Sequence, residues 1–163
     1  AALSLQTAGA EAIVICTNTM HKVAEDIEQV ISIPLLHIAD ATARTLKQEN
    51  IDKVALLGTA FTMEQDFYKQ RLTDQAICVL VPNEEQRKQI HTIIYDELCQ
   101  GKILPESRQI YLDIITDLKS RGAEGVILGC TEIGLLVNKE HTDVPLFDTT
   151  LIHASSAVEW SLT

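Results

Sequence analysis

No basic cluster occurs anywhere in the 163 residues, which carry 13 Lys and Arg against 23 Asp and Glu, a formal net charge of −10. That balance argues against nucleic acid and anionic membrane surfaces as partners, and says nothing of small substrates. Nor does any apolar stretch approach the length of a membrane span. The four cysteines (Cys16, Cys78, Cys99 and Cys130) show neither CxxC spacing nor close pairing. A disulfide framework is therefore not expected, and a reducing, cytoplasmic setting is. Low-complexity linkers are missing as well. With 46% hydrophobic residues, the chain can bury a substantial core as one or two small domains.

What is present is alternation. Short apolar, mostly β-branched runs at residues 12–16, 34–38, 53–57, 77–81, 125–128 and 146–147 read as strands. Being apolar throughout, they suit parallel strands covered on both faces. Amphipathic segments at 19–30, 41–49, 63–71, 84–99, 106–121 and 151–162 read as helices between them. The predicted class is thus α/β, with mostly parallel sheets flanked by helices. Asp40 is placed as an N-cap, and Gly122 ends the helix that Ile110, Ile114, Ile115 and Leu118 stripe. Residues 100–105 form the most loop-like stretch. The chain opens inside what reads as a helix, through Ala2, Leu3 and Leu5. An upstream segment is accordingly expected, without which strand 12–16 would be under-supported and catalysis poor.

An internal echo carries the chemistry. "AGAEAIVICTNT" and "RGAEGVILGCTEI" both run from a helix end through Gly-Ala-Glu and an apolar strand to Cys-Thr and a new helix. Two such units facing one another would bring Cys16 and Cys130 to the carboxyl ends of their strands, where open α/β sheets bind ligands. Unpaired N–H groups and the positive end of a helix dipole would there favour thiolate, lowering the pKa from about 8.5. Thr17, Asn18 and Thr131 supply neutral donors for a small carboxylate. Gly58-Thr59, with Thr62 beyond, makes another anion-friendly strand exit, and Glu132 stands at a helix start beside the second cysteine. Cys78 and Cys99 read as inert packing thiols. His21, five residues after Cys16, fits one helix face poorly and reads as solvent-facing or merely helix-forming. A zinc site from Cys16, Cys130, His21 and His153 lacks a recognised ligand spacing and is set aside, so no metal is expected. Two opposed thiols suit the inversion of a stereocentre: one removes the α-proton while the other donates to the opposite face. No Schiff-base lysine motif or nucleotide loop is evident, and no cofactor is expected.

At "CTNTMH", "GTAFTM", "GCTEI" and "VPLFDTT" the chain resembles the cofactor-independent aspartate/glutamate racemases, over essentially its whole length. The resemblance implies two pseudo-symmetric α/β domains with the active site between them, and Cys16 and Cys130 as the acid/base pair. It implies that Thr17, Asn18, Thr19, Thr59 and Thr131 hold the substrate, that Glu132 supports the second cysteine, and that Lys102 contacts substrate. By the family's domain order, residues 1–39 plus 144–163 form the first, discontinuous domain, and 40–143 the second. A small amino-acid substrate, acidic and of the aspartate/glutamate type, is implied, and a homodimer is allowed. One departure is the lack of a counterpart to the family's initial strand and Gly-Gly-Met-type loop. Hydantoin racemases, maleate isomerases and arylmalonate decarboxylases share the scaffold, so fold alone does not choose the reaction. A non-catalytic amino-acid-binding protein is the alternative from another class.

Overall fold

The computed structural model describes residues 1–163. Four parallel strands form the larger sheet: β3 (Lys53–Gly58), β4 (Cys78–Leu80), β5 (Gly125–Gly129) and β6 (Leu146–Asp148), in the order β4-β3-β5-β6. A smaller parallel sheet pairs β1 (Ile13–Val14) with β2 (Leu35–Leu36). The α/β class and the parallel pairing are as the apolar runs imply.

The central strands are buried on both faces, and the period of two divides their side chains between two cores. Ala55 and Leu57 of β3 and Val126 and Leu128 of β5 enter one core, with Ile90, Ile94, Tyr111 and Ile115. Those four come from α6 (Glu84–Asp96) and α7 (Pro105–Ser120). Val54, Leu56 and Ile127 face the other way, towards Leu46 of α3 (Ile38–Gln48) and Leu72 of α5 (Asp66–Thr73). α7 begins with Pro105 at its first turn and ends ahead of Gly122, whose φ of +94° suits glycine.

Several local features differ from expectation. The N-cap of α3 is His37, whose Nδ1 accepts the Ala39 N–H, while Asp40 lies in the first turn and pairs with Arg71 at 2.9 Å. The expected helix over 63–71 is two helices, α4 (Ala60–Glu64) and α5, because Gln65 is extended at ψ 157°. The segment 19–30 is a 3-10 turn (Thr19–Val23) followed by a short α2 (Ala24–Glu28). The earliest helix is α1 (Ala2–Thr7). Most consequential is β6, which the family's domain order groups with strand 12–16. It pairs instead with β5, the ring of Phe147 packing where Gly125 has no side chain. α9 (Thr149–Ser161) follows β6 directly, capped by the Asp148 carboxylate, which accepts the N–H groups of Thr150 and Leu151, and it packs along α3. α8 (Ile133–Leu136) is a single turn after β5.

Candidate active site

The carboxyl ends of β1, β3, β5 and β6 converge, and hydrogen bonds join the smaller sheet to the larger one there. The turn after β1 carries Cys16-Thr17-Asn18-Thr19. The buried amide of Asn18 donates to Thr149 Oγ1 at 3.0 Å, and Thr149 Oγ1–H donates on to Leu128 O at 2.8 Å. Thr19 Oγ1 lies 3.1 Å from Thr59 Oγ1 and 3.4 Å from Thr62 Oγ1. Each residue sits where its strand ends: Thr59 follows Gly58 of β3, Cys130 follows Gly129 of β5, and Thr149 follows Asp148 of β6. Gly58 and Gly129 are register partners, and a Cβ on Gly129 would stand 2.8 Å from Leu57 O. Only glycine lets the two strand ends approach so closely.

Two cavities open at this convergence. The larger, about 310 Å³, is lined by Thr17, Asn18, Thr19, Thr59, Cys130, Thr131 and Glu132, as the sequence anticipates, with Met20, Ile94, Tyr95 and Cys99 beside them. The smaller, about 120 Å³, is lined by Cys16 with Val14, Ile38, Thr150, His153 and Ala154. Thr17 and Thr131, the residues after the two cysteines, line both. The two Cys-Thr turns therefore meet through their threonines, with one thiol opening to each side. Lys102 is not brought to either cavity; it lies exposed on the loop after the 3-10 turn Leu98–Gln100. A depression of about 470 Å³ elsewhere is larger, but its lining is mostly charged or amide side chains and includes no cysteine.

The electrostatics of Cys130 overturn the expectation of a favoured thiolate. Its Sγ–H donates to Glu132 Oε2 at 2.9 Å, and the thiol is pushed up to about 12 by burial and by that hydrogen bond to a carboxylate. α8 starts too late and is too short to oppose those two effects with its dipole. Burial works to raise the Glu132 carboxyl, but the bonds it accepts from Cys130 and from Thr131 Oγ1–H, the latter at 2.6 Å, outweigh burial and hold it below its usual range. Glu132 is thus an ionised acceptor that keeps Cys130 protonated. Cys16 is exposed and Cys130 half-buried.

The packing role expected of Cys78 and Cys99 is not realised, since both are exposed. Cys78 opens edge strand β4, and Cys99 sits in the turn after α6, facing Cys130's cavity. His21 is likewise not solvent-facing. It is buried, with Nδ1–H donating to Thr17 O at 2.8 Å and Nε2 accepting the Ile38 N–H at 3.2 Å. Its ring lies 4.4 Å from that of His37 and 5.6 Å from that of His153, centroid to centroid. Burial depresses His21 to about 4, and depresses His37 to about 2 with help from neighbouring His21 and Arg71. With both its ring nitrogens committed to backbone, His21 has no lone pair for a metal, and the three histidines form no metal-binding group. Residues 19–30 read from sequence gave no sign of this burial, because the partners of His21 lie on β2's exit and on its own backbone turn.

Residues 1–157 match the family model described as Asp/Glu/Hydantoin racemase. The chain belongs to that family. Among solved structures it is 55% identical to an Asp/Glu racemase candidate from Yersinia pestis, with TM-score 0.95, spanning 99% of this chain and 71% of that one. It is 37% identical to an aspartate racemase homologue from Pyrococcus horikoshii OT3, with TM-score 0.89 and the same two coverages. Over 157 residues it is 23% identical to the broad specificity amino-acid racemase RacX of Bacillus subtilis (strain 168), covering 96% of this chain and 67% of that protein. No helix of this family member is long and apolar enough to cross a membrane.

Proposed function

We propose that the protein is an amino-acid racemase of the aspartate/glutamate type, with breadth towards other polar amino acids, working by two-base proton transfer between Cys16 and Cys130. The observation that carries this reading is the junction of the two Cys-Thr turns, where Thr17 and Thr131 line both cavities and each thiol opens on its own side. A substrate seated at that junction would present opposite faces of its α-carbon to the two sulfurs. Hydroxyls of Thr17 and Thr59 line the larger cavity and would serve as neutral donors for its carboxylate, whereas the Thr131 hydroxyl is committed to Glu132.

Cys130, held protonated by Glu132, is the acid in the resting protein, and the exposed Cys16, once deprotonated, is the base. The Cα–H bond breaks and its proton passes to the Cys16 sulfur, while the electron pair spreads into the substrate carboxylate. The pair then returns to carbon as the Cys130 S–H proton is delivered to the other face. The sulfurs exchange protonation states, and the reverse direction exchanges them back. Both proton-transfer groups come from the chain, so the reaction needs neither metal nor pyridoxal phosphate.

Chirally resolved assays of the purified protein across the common amino acids test the reading. Aspartate or glutamate should racemise in both directions, survive chelators, and fail in both Cys16→Ser and Cys130→Ser. Full activity of either variant, or turnover only of hydantoins or maleate, overturns it.

A further inference from the structure

Glu132 is the companion of Cys130, whereas the racemase reading leaves Cys16 without one. The wall of its cavity supplies a candidate. Val14 and Cys16 are two residues apart at the end of β1 and line the cavity together, and opposite them stand Thr150, His153 and Ala154, one face of α9. Apart from Cys16, the only titratable side chain in that lining is His153.

The protonation pattern of His153 is set by its backbone partner. Nε2 lies 2.7 Å from Leu36 O, and a carbonyl oxygen only accepts, so Nε2 carries the hydrogen and the neutral ring keeps its lone pair on Nδ1. Leu36 is the register partner of Val14, so β2 holds the imidazole beside the strand that delivers Cys16. Of the neighbouring histidines, His21 packs 5.6 Å away with both nitrogens bonded to backbone, and His37 caps α3 through Nδ1, its Nε2 being buried without a partner and outside the lining of this cavity. Besides the thiol, the cavity lining offers only the hydroxyls of Thr17, Thr131 and Thr150, none acidic enough to give its proton up to the lone pair on His153 Nδ1.

We propose that His153 is a positioning residue for Cys16, the base that takes its proton. The Cys16 S–H bond breaks and the proton moves to Nδ1, leaving a thiolate that shares the cavity with an imidazolium donating from Nε2 to Leu36 O. Each thiol of the site would then have its own companion: Glu132 keeps Cys130 a thiol, and His153 makes Cys16 a thiolate. The inference deepens the two-thiol reading, but its test does not depend on turnover.

The test is site-resolved alkylation of the full chain with iodoacetamide, followed by peptide mass spectrometry between pH 5 and 9, with exposed Cys78 as internal reference. A depressed thiolate pKa of one unit multiplies the thiolate fraction about tenfold at neutral pH. Cys16 should accordingly react several-fold faster than Cys78 at pH 7. His153→Gln keeps an N–H donor for Leu36 O but removes the base, and should bring Cys16 down to the Cys78 rate across the profile. Equal rates for Cys16 and Cys78 in the native protein overturn the proposal, as does a folded His153→Gln protein in which Cys16 keeps its advantage. If that variant does not fold, the native comparison decides alone. Racemisation without a Cys16 advantage would refute this inference and leave the racemase reading standing. A His153-dependent thiol in a protein that racemises nothing would do the reverse.

Discussion

The buried amide of Asn18 donates to the hydroxyl of Thr149 at 3.0 Å, joining positions 131 residues apart. This bond ties the turn that bears Cys16 to the strand exit beside Cys130, so the relative placement of the two thiols depends on it. Thr149→Val would leave that amide buried without its acceptor and also remove the bond to Leu128 O. A stability loss of about 1–3 kcal/mol is expected, read from urea unfolding. Adding Asn18→Ala should cost less than the sum of the single changes, because the partners are lost together. Strict additivity would show that the bond contributes nothing.

Glu132 controls the Cys130 proton. In Glu132→Gln the carboxylate's charge is gone while the size is kept, so the Cys130 pKa should fall from about 12, burial alone still holding it above the ordinary thiol range. A fall of about one unit would raise alkylation of Cys130 roughly tenfold at mildly alkaline pH. An unchanged Cys130 profile would remove Glu132 from the account.

The buried histidines predict acid sensitivity. His21 and His37 are neutral in the folded protein, with pKa values of about 4 and about 2, against 6.5 when free. Below about 6.5 the unfolded chain takes up protons that the native state refuses, so stability is full above that pH and falls as pH drops from 6.5 towards 4. Each group contributes up to about 1.4 kcal/mol per pH unit. Urea midpoints at several pH values should show this slope, and His37→Asn, which can still cap α3, should flatten it. An equally steep slope in the variant would place the acid sensitivity elsewhere.

Gly129→Ala should damage the site from behind. Its new methyl would meet Leu57 O at 2.8 Å and Leu56 Cδ1 at 3.0 Å, atoms of a central strand that cannot step aside. A loss of about 1–3 kcal/mol is expected from the overpacking, together with altered alkylation of the adjacent Cys130. A melting temperature and a Cys130 reactivity both equal to the parent's would show that the strand ends have slack.

The α/β alternation and the strand cores were legible because they are local: a short, wholly apolar, β-branched run states that it is covered on both faces. The repeated Cys-Thr after such a run was legible for the same reason, since a strand's carboxyl end is fixed by the chain itself. Thr17, Asn18, Thr19, Thr59, Cys130, Thr131 and Glu132 consequently fall around one cavity. Lys102 did not follow, because its place depended on the course of a loop rather than on a strand end.

The rest was decided by contacts between distant segments. Nothing near Leu146 states whether β6 pairs with β1 or with β5; the space beside Gly125, filled by the Phe147 ring, settles it. Nothing near His21 announces its burial, because Ile38, which donates to its ring, is brought there by the β1–β2 pairing. The state of Cys130 also turned on tertiary structure. The strand–helix turn by itself favours a thiolate, but burial and the Glu132 carboxylate, brought within 2.9 Å by the fold of the turn, favour the thiol, and they outweigh a one-turn helix. Residue order determined which groups stand at the strand ends; packing set their protonation and their partners, because desolvation and charge act through space rather than along the chain.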